Sequence, residues 1–387
     1  MRLPQFSLVL PAAALAASLT HPNYKTDKST GFEWDPGHFK VAAVRYPPAN
    51  YAYPLVQNRT WVDLDLNATV DKAIEIIHQA GAEGVKLMAF PELYFPGFPI
   101  ALNFEFTPAN LAHYASQAMA FEGPEWNRLT AAISAEKMYA VVSFAEPDDG
   151  ALYMGQYLVG PDGKTIHRHR KLRPSGSERN LFSDGVIESI RAVTLPFGTV
   201  TMLSCWENLW PTMRYTAAAQ PANLHIASFP WGGDANAETL WWEHWLTHES
   251  VVRSYAASTG VAAIMPAIGK SSIFNTFGVD LNRTDATDAA SLEAMPYITG
   301  VFNTTTWAAP SYDVNGQHSW AALVQILQGL APDVPRVWGA FFDRYVTKIK
   351  DFSAYYVVTE GNRAPEYAAA SGYRSLYESY GQVDRVV

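Results

Sequence analysis

The chain contains a single cysteine, Cys205, among 387 residues. No disulfide can form within the chain, so its stability must come from a packed core. Apolar residues make up 48% of the sequence, which is enough for one large domain or two ordinary ones. The sequence also lacks internal repeats, low-complexity tracts and a glycine-rich loop of the kind that holds phosphate groups. It therefore gives no indication of a repeat protein or of a phosphate-binding loop.

Positive charge is scarce as well. The 28 lysines and arginines are outnumbered by 37 aspartates and glutamates, which gives a formal net charge of -9. Because these charges are dispersed along the chain, nucleic acid and anionic membrane surfaces are poor partners for it. A small neutral or organic molecule is the expected substrate.

The amino terminus has an apolar stretch, residues 6–17, that is too short to span a bilayer and is interrupted by Pro11. It follows Arg2 and includes the small residues Ala14 and Ala16, a pattern typical of a signal peptide over residues 1–17. We therefore expect the protein to be secreted or to enter the secretory pathway, without a membrane span. The alternative is an apolar leader that is not processed.

Four glycosylation sequons, beginning at Asn58, Asn67, Asn282 and Asn303, fit that expectation. Roughly two would be expected by chance, so they add only a little support. A lone cysteine in a secreted chain indicates a reactive thiol.

The rest of the chain divides into three segments. Residues 18–38 are polar and rich in proline and glycine, which predicts a loosely ordered linker or surface arm. Residues 39–330 alternate predicted strands with amphipathic helices, and residues 331–387 form an aromatic and polar C-terminal extension. Two halves of alternating strands and helices predict two packed sheets with outer helices.

Cys205 lies where a nucleophile would lie in an α/β protein. The apolar, β-branched residues 199–203 predict a buried strand, and Pro211 begins a segment that predicts a helix. A side chain just past the carboxyl end of a strand projects into the crevice where such proteins bind ligands. The alternative is a buried structural cysteine, because free cysteine is among the most buried residue types.

Two other predicted strands also end in charged side chains. Residues 85–90 lead to Glu92, and residues 164–170 lead to Lys171, with Glu178 a short distance further on. A thiol, a base and a cation at three strand ends suit acyl transfer at a carbon–nitrogen bond. Alternatively, Glu92 is an ordinary solvated acid, and the basic run around Lys171 is a solvated face or a small anion patch.

The segments that carry Glu92, Lys171 and Cys205, in that order, resemble the nitrilase superfamily of carbon–nitrogen hydrolases. The similarity extends over residues 39–327, and Cys205-Trp206-Glu207 resembles the nitrilase branch. The resemblance implies a four-layer αββα sandwich that needs no cofactor and no metal. It also implies a homodimer or larger homo-oligomer, to which the C-terminal extension contributes contacts.

The resemblance further implies a role for each charged residue. Cys205 is expected to attack an organic nitrile and form a covalent thioimidate, with Glu92 as general base. Lys171 is expected to stabilise the negative charge on nitrogen or to donate a proton, with Glu178 assisting. The products would be ammonia and the carboxylic acid, or in part the amide.

Two other functions remain open. A secreted amidase of the same superfamily would use the same residues on a carbon–nitrogen single bond. Secreted amidases of the pantetheinase and biotinidase type, however, usually carry Cys-Phe-Asp where this chain has Cys-Trp-Glu. A non-catalytic binding or assembly protein would retain only the fold.

The sequence departs from the nitrilase pattern at two places. Residues 180–185 replace the Trp-Gly and acidic, glycine-rich stretch that follows the Glu-Arg pair in many nitrilases. Residues 313–319 resemble a segment near the end of nitrilase domains, but Trp320 stands near the position of the arginine that usually follows.

Four more residues are candidates for contacts with small ligands. Trp206 and Tyr94 are predicted to line an aromatic or apolar substrate pocket. His244 and His248 are four positions apart on a predicted helix over residues 238–258, a spacing that allows two imidazoles to share a metal. The acidic residue follows His248 and not His244, which differs from the zinc-protease motif and favours a packing role.

Overall fold

The structure is a computed structural model that describes residues 24–51, 61–100, 107–233, 243–284 and 286–307. It begins with an antiparallel hairpin of strands β1 (Lys25–Asp27) and β2 (Phe32–Trp34). Phe32 and Trp34 are buried in the hydrophobic core. The expected loosely ordered arm over residues 18–38 does not hold for this hairpin, because two aromatic side chains anchor it.

The first large sheet has the order β14-β3-β4-β5-β6-β7. Strands β3, β4 and β5 are parallel, whereas β14, β6 and β7 pair antiparallel with their neighbours. Its strands are β3 (Phe39–Val44), β4 (Leu87–Ala89), β5 (Tyr139–Asp148), β6 (Ala151–Val159), β7 (Thr165–Arg170) and β14 (Tyr297–Phe302). Because β14 lies last in the described chain and pairs with β3, the sheet joins distant parts of the sequence.

The second sheet repeats this plan, with the order β13-β12-β11-β10-β9-β8. Its central strands β9, β10 and β11 are parallel, and the outer pairs are antiparallel. Its strands are β8 (Val193–Leu195), β9 (Gly198–Ser204), β10 (Leu224–Ser228), β11 (Ala262–Met265), β12 (Ser272–Phe274) and β13 (Asp280–Arg283).

Seven α-helices occur among the described residues. Asp65 caps the first of them by accepting a hydrogen bond from the backbone N–H of Ala68, and proline occupies the first turn of three others. They are α1 (Leu66–Ala82), α2 (Pro108–Ser116), α3 (Pro124–Ala135), α4 (Trp206–Leu209), α5 (Pro211–Ala218), α6 (Trp245–Thr259) and α7 (Ala289–Ala294).

Three apolar layers hold the sheets and helices together. One lies between the sheets, with β3 and β4 facing β9, β10 and β11. A second lies between the first sheet and helices α1 and α3, and a third between the second sheet and α6. Alternate residues of the strands face these layers, as their pleat requires. The result is the expected αββα sandwich.

The helices of the described ranges do not include one with the length and apolar character needed to cross a membrane. Several predictions lie outside the described residues. These are the signal peptide, the sequon at Asn58, the segment at residues 313–319 with Trp320, and the C-terminal extension over residues 331–387.

Candidate active site

Cys205 lies in a sharp turn between β9, which ends at Ser204, and the short helix α4. Its backbone has φ of 43° and ψ of -112°, a left-handed region that non-glycine residues seldom adopt. The backbone N–H of Cys205 donates to Ser228 O at 2.7 Å, and the Asn208 side chain donates to Cys205 O at 3.1 Å. These bonds hold an unfavourable backbone conformation, which is common at functional sites.

Glu92 follows β4 and is buried, with 1% of its surface exposed. Its backbone N–H donates to Phe229 O at 3.1 Å, which joins the end of β4 to the end of β10 in the other sheet. One carboxylate oxygen, Oε1, accepts a hydrogen bond from Lys171. Within the described residues the other oxygen, Oε2, is buried and has no hydrogen-bond partner. It is therefore free to accept a proton from a bound molecule or from the thiol.

Lys171 follows β7 and is fully buried. Its ammonium lies 2.9 Å from Glu92 Oε1 and 2.8 Å from Glu178 Oε2. Glu178 lies in a short 3-10 helix, Gly176–Asn180, and its Oε2 also accepts a hydrogen bond from the backbone N–H of Ser175 at 2.6 Å. One lysine thus bridges two carboxylates in a largely dry environment.

The charges of this cluster do not cancel, because two carboxylates share one ammonium. Burial and, to a smaller extent, the nearby charge of Glu178 outweigh the opposing charge of Lys171, and together these influences raise the pKa of Glu92 to about 8. Burial alone would lower the pKa of Lys171, but Glu178 and Glu92 hold that pKa above its ordinary value. Lys171 therefore stays positively charged, and Glu92 exchanges its proton near neutral pH.

The cysteine thiol experiences the same three charges. Burial raises the pKa of Cys205 well above its ordinary value, Glu92 raises it further, and Lys171 lowers it. A backbone hydrogen bond from Trp206 also favours the thiolate. Because the resting thiol keeps its proton, attack on a substrate requires a base that removes it, and the unpaired oxygen of Glu92 is suited to that role.

An apolar cluster borders the two carboxylates. It contains Leu93, Phe98, Tyr114, Phe182 and Trp231. The hydroxyl of Tyr114 donates to Gly97 O at 2.8 Å. Burial raises the pKa of Tyr114 well above its ordinary value, and the charges of Glu92 and Glu178 raise it further. This surface beside the reactive groups is therefore aromatic and aliphatic.

The two residues predicted to line a substrate pocket have different surroundings. Trp206 is half-buried and packs against the cluster that contains Cys205. Tyr94 has no exposed surface, and its ring packs on Phe90 and Phe95 in the layer beneath α1 and α3. Tyr94 could reach a substrate only if that layer opened, so its contact with substrate stays a prediction.

His244 and His248 lie at the amino-terminal end of α6. His244 precedes α6, and the ring of His248 stacks on Phe229 with centroids 4.3 Å apart. The described residues hold no group of three His, Cys, Asp or Glu side chains positioned to share a metal ion.

Sequence reasoning overlooked two buried residues next to the site. The Glu207 carboxylate and the His169 imidazole are joined by a hydrogen bond with an N···O distance of 2.8 Å. A signal for His169 was present, because buried positions alternate along β7 at His167 and His169 and continue to Lys171. That alternation places His169 on the same inward face as the lysine.

The described residues thus form an αββα sandwich with a buried constellation of Glu92, Lys171 and Cys205. Residues 40–279 match the family model described as carbon-nitrogen hydrolase. This match covers more than half of the chain, so the protein belongs to the carbon-nitrogen hydrolase family.

Relatives and solved structures agree with this family. The chain is 36% identical over 199 residues to a protein named nitrilase from Talaromyces marneffei, covering 50% of this chain and 61% of the relative. It is 32% identical over 212 residues to a cyanide hydratase from Alternaria brassicicola, covering 52% and 58%. The chain thus spans little more than half the length of these relatives. An amidase of the nitrilase superfamily from Nesterenkonia AN1 shares the fold, with a TM-score of 0.53, 14% identity and coverage of 76% of this chain and 98% of that one.

Proposed function

We propose that this protein is a nitrilase, which converts an organic nitrile to the carboxylic acid and ammonia through a thioimidate on Cys205. The observation that carries this proposal is the buried cluster of Glu92, Lys171 and Glu178 acting on a strained, buried cysteine. The names of the relatives support the choice of a nitrile over other carbon–nitrogen compounds.

In the first half of the proposed reaction, Glu92 Oε2 accepts the thiol proton while sulfur attacks the nitrile carbon. Lys171 stabilises the negative charge that develops on nitrogen and donates a proton to it, which gives the covalent thioimidate. Glu178 keeps the ammonium in place through its 2.8 Å contact. The low polarity of the site strengthens each of these charge interactions.

Glu92 then returns its proton to Lys171, which lies 2.9 Å away, so that both groups regain their starting charge. In the second half, Glu92 removes a proton from water, which attacks the thioimidate carbon with Glu178 assisting. The tetrahedral intermediate expels ammonia and leaves a thioester, and a second water releases the acid and the thiol. If the intermediate expels sulfur instead, the product is the amide. This second outcome is of interest because some relatives are named cyanide hydratase.

The proposed substrates carry an aromatic or apolar group next to the nitrile. The support is the cluster around Phe98, Tyr114 and Trp231, which borders the carboxylates. Burying apolar substrate surface there contributes roughly 25 cal/mol per Å². Arylaliphatic nitriles should therefore be turned over more efficiently than short aliphatic ones.

An amidase acting on a carbon–nitrogen single bond is the second candidate, and a binding protein without activity is the third. Ammonia release over matched nitriles and amides, with Cys205→Ala as control, separates them. Cysteine-dependent turnover of nitriles supports the proposal, and turnover of amides alone contradicts it. If neither nitriles nor amides are hydrolysed, and the Cys205 thiol is alkylated no faster than a model thiol, the hypothesis of a binding protein without activity is favoured.

We also propose that the protein is secreted, glycosylated and homo-oligomeric. Asn67 and Asn303 have exposed side chains, whereas Asn282 is half-buried and donates to Thr299 O at 2.8 Å. Expression in a eukaryotic host, with glycosidase treatment and light scattering of the secreted product, tests these three points. An intracellular, unmodified monomer would contradict them.

A further inference from the structure

The carboxylate of Glu207 binds backbone groups on both sides of the site. It is buried, with 2% of its surface exposed. Its Oε1 accepts from the backbone N–H of Leu172 at 2.7 Å, and its Oε2 accepts from that of Ser204 at 2.8 Å. Leu172 directly follows Lys171, and Ser204 directly precedes Cys205. One side chain thus connects the lysine segment of the first sheet with the cysteine turn of the second.

His169 is the hydrogen-bond partner of Glu207, and the proton on one of its ring nitrogens follows from its contacts. Its Nε2 lies 2.8 Å from Glu207 Oε2, and its Nδ1 lies 2.9 Å from Ser189 Oγ. The Ser189 hydroxyl can donate to Nδ1 or to Val186 O, which is 2.7 Å away. The ionised carboxylate of Glu207 can only accept. His169 Nε2 must therefore carry a proton, which it donates to Glu207.

Other charged groups around the pair do not replace either partner. His167, two positions earlier on β7, donates through Nε2 to Ser189 O, and burial lowers its pKa to about 4. Burial lowers the pKa of His225 to about 3, and the charge of Glu207 opposes this shift. The charge of Glu207 also raises the pKa of Glu92. Both of these histidines are therefore neutral at pH 7.

We propose that Glu207 and His169 are a pair of positioning residues, which fix Lys171 and Cys205 relative to each other across the two sheets. Both act through the backbone on either side of the site. The buried charge of Glu207 strengthens its bonds to the two backbone N–H groups, and His169 keeps that charge in place. The activity measurements below rest on the proposed function, whereas the spectroscopic one does not.

The hydrogen bond from His169 to Glu207 is tested by NMR of the full chain labelled with ¹⁵N-histidine. We expect one histidine ring whose Nε2 carries a proton and donates it in a hydrogen bond. Its signal is assigned by loss in His169→Gln, and it should shift in Glu207→Gln. A His169 ring without a proton on Nε2 in the unmodified protein would overturn the proposal, whatever the substrate.

The positioning role is tested by kinetics on whichever nitrile or amide the protein hydrolyses. We expect Glu207→Gln to lower kcat by about 10²-fold with little change in KM, because small displacements of reacting groups are costly in kcat. His169→Gln should act similarly, and the double variant should be no slower than the slower single one. A loss of kcat in the double variant equal to the product of the two single losses would contradict a coupled positioning pair. A rise in KM without a fall in kcat would contradict it as well.

Glu249→Gln is the matched control, because Glu249 is also buried and paired, with Arg253 at 2.6 Å on α6. It should leave kcat near the unmodified value. If the protein hydrolyses neither panel, the proposed function fails, and the alkylation rate of Cys205 by iodoacetamide in the same variants replaces kcat. An unchanged alkylation rate in Glu207→Gln would then overturn the positioning role.

Discussion

Lys171 Nζ lies 2.9 Å from Glu92 Oε1, although the two residues are 79 positions apart and both are buried. A buried ion pair repays the cost of removing its charges from water only when further hydrogen bonds satisfy the remaining groups. Glu178 supplies one such bond to the ammonium and leaves the cluster with an excess carboxylate. Burial, to which this excess negative charge adds, raises the pKa of Glu92 to about 8.

The first prediction concerns the pH dependence of catalysis. If ionised Glu92 is the base, kcat/KM should rise with pH with a midpoint of about 8, because the pKa of Glu92 is raised to that value. The measurement is kcat/KM on a nitrile substrate between pH 5 and 10. A profile that is already flat above pH 6 would show that another group, or an unperturbed carboxylate, is the base.

The second prediction concerns Glu178→Gln. Removing this negative charge removes one of the influences that raise the pKa of Glu92, so the rise in kcat/KM should move to lower pH. At the same time kcat should fall, because the ammonium of Lys171 loses its 2.8 Å ionic partner. The same pH series measures both effects. A shift to higher pH would contradict the assigned electrostatics.

The third prediction concerns stability. Lys171→Met leaves two carboxylates buried without a cation, which should lower the free energy of unfolding at pH 7 by about 3–5 kcal/mol. The loss should shrink at pH 5, where the carboxylates are more readily protonated. Urea denaturation at both pH values measures it. Lys164→Met is the control, because the Lys164 side chain is 83% exposed and should change the free energy of unfolding by less than about 0.5 kcal/mol.

The fourth prediction concerns the amino-terminal hairpin. Phe32 is fully buried and contacts Tyr139 and Phe197 with ring centroids 4.8 and 6.2 Å away. Phe32→Ala should therefore reduce the free energy of unfolding by about 3–5 kcal/mol. Tyr24→Ala, at a position 51% exposed, should be nearly neutral. Equal effects of the two substitutions would mean that the hairpin is not anchored by its aromatic side chains.

Local patterns in the sequence were sufficient for most strands and helices of the sandwich. The apolar run before Cys205 predicted β9, and residues 164–170 predicted β7. The hairpin at residues 25–34 was missed because its strands have only three residues each, too few for a periodic pattern. Its place in the structure depends on Phe32 and Trp34 reaching a core formed by distant residues.

The order of Glu92, Lys171 and Cys205 at three strand ends was readable from the sequence alone, because a strand's end fixes where the next side chain points. Their mutual distances were not readable, because they depend on how two sheets pack and on which strands are neighbours. The backbone bond from Glu92 to Phe229 O and the contacts of Glu207 with Leu172 and Ser204 join segments far apart in the chain. The sequence by itself determined which chemical groups are present and on which elements they lie. Only the tertiary structure decided that they are buried together, and burial is the physical cause of their altered proton affinities.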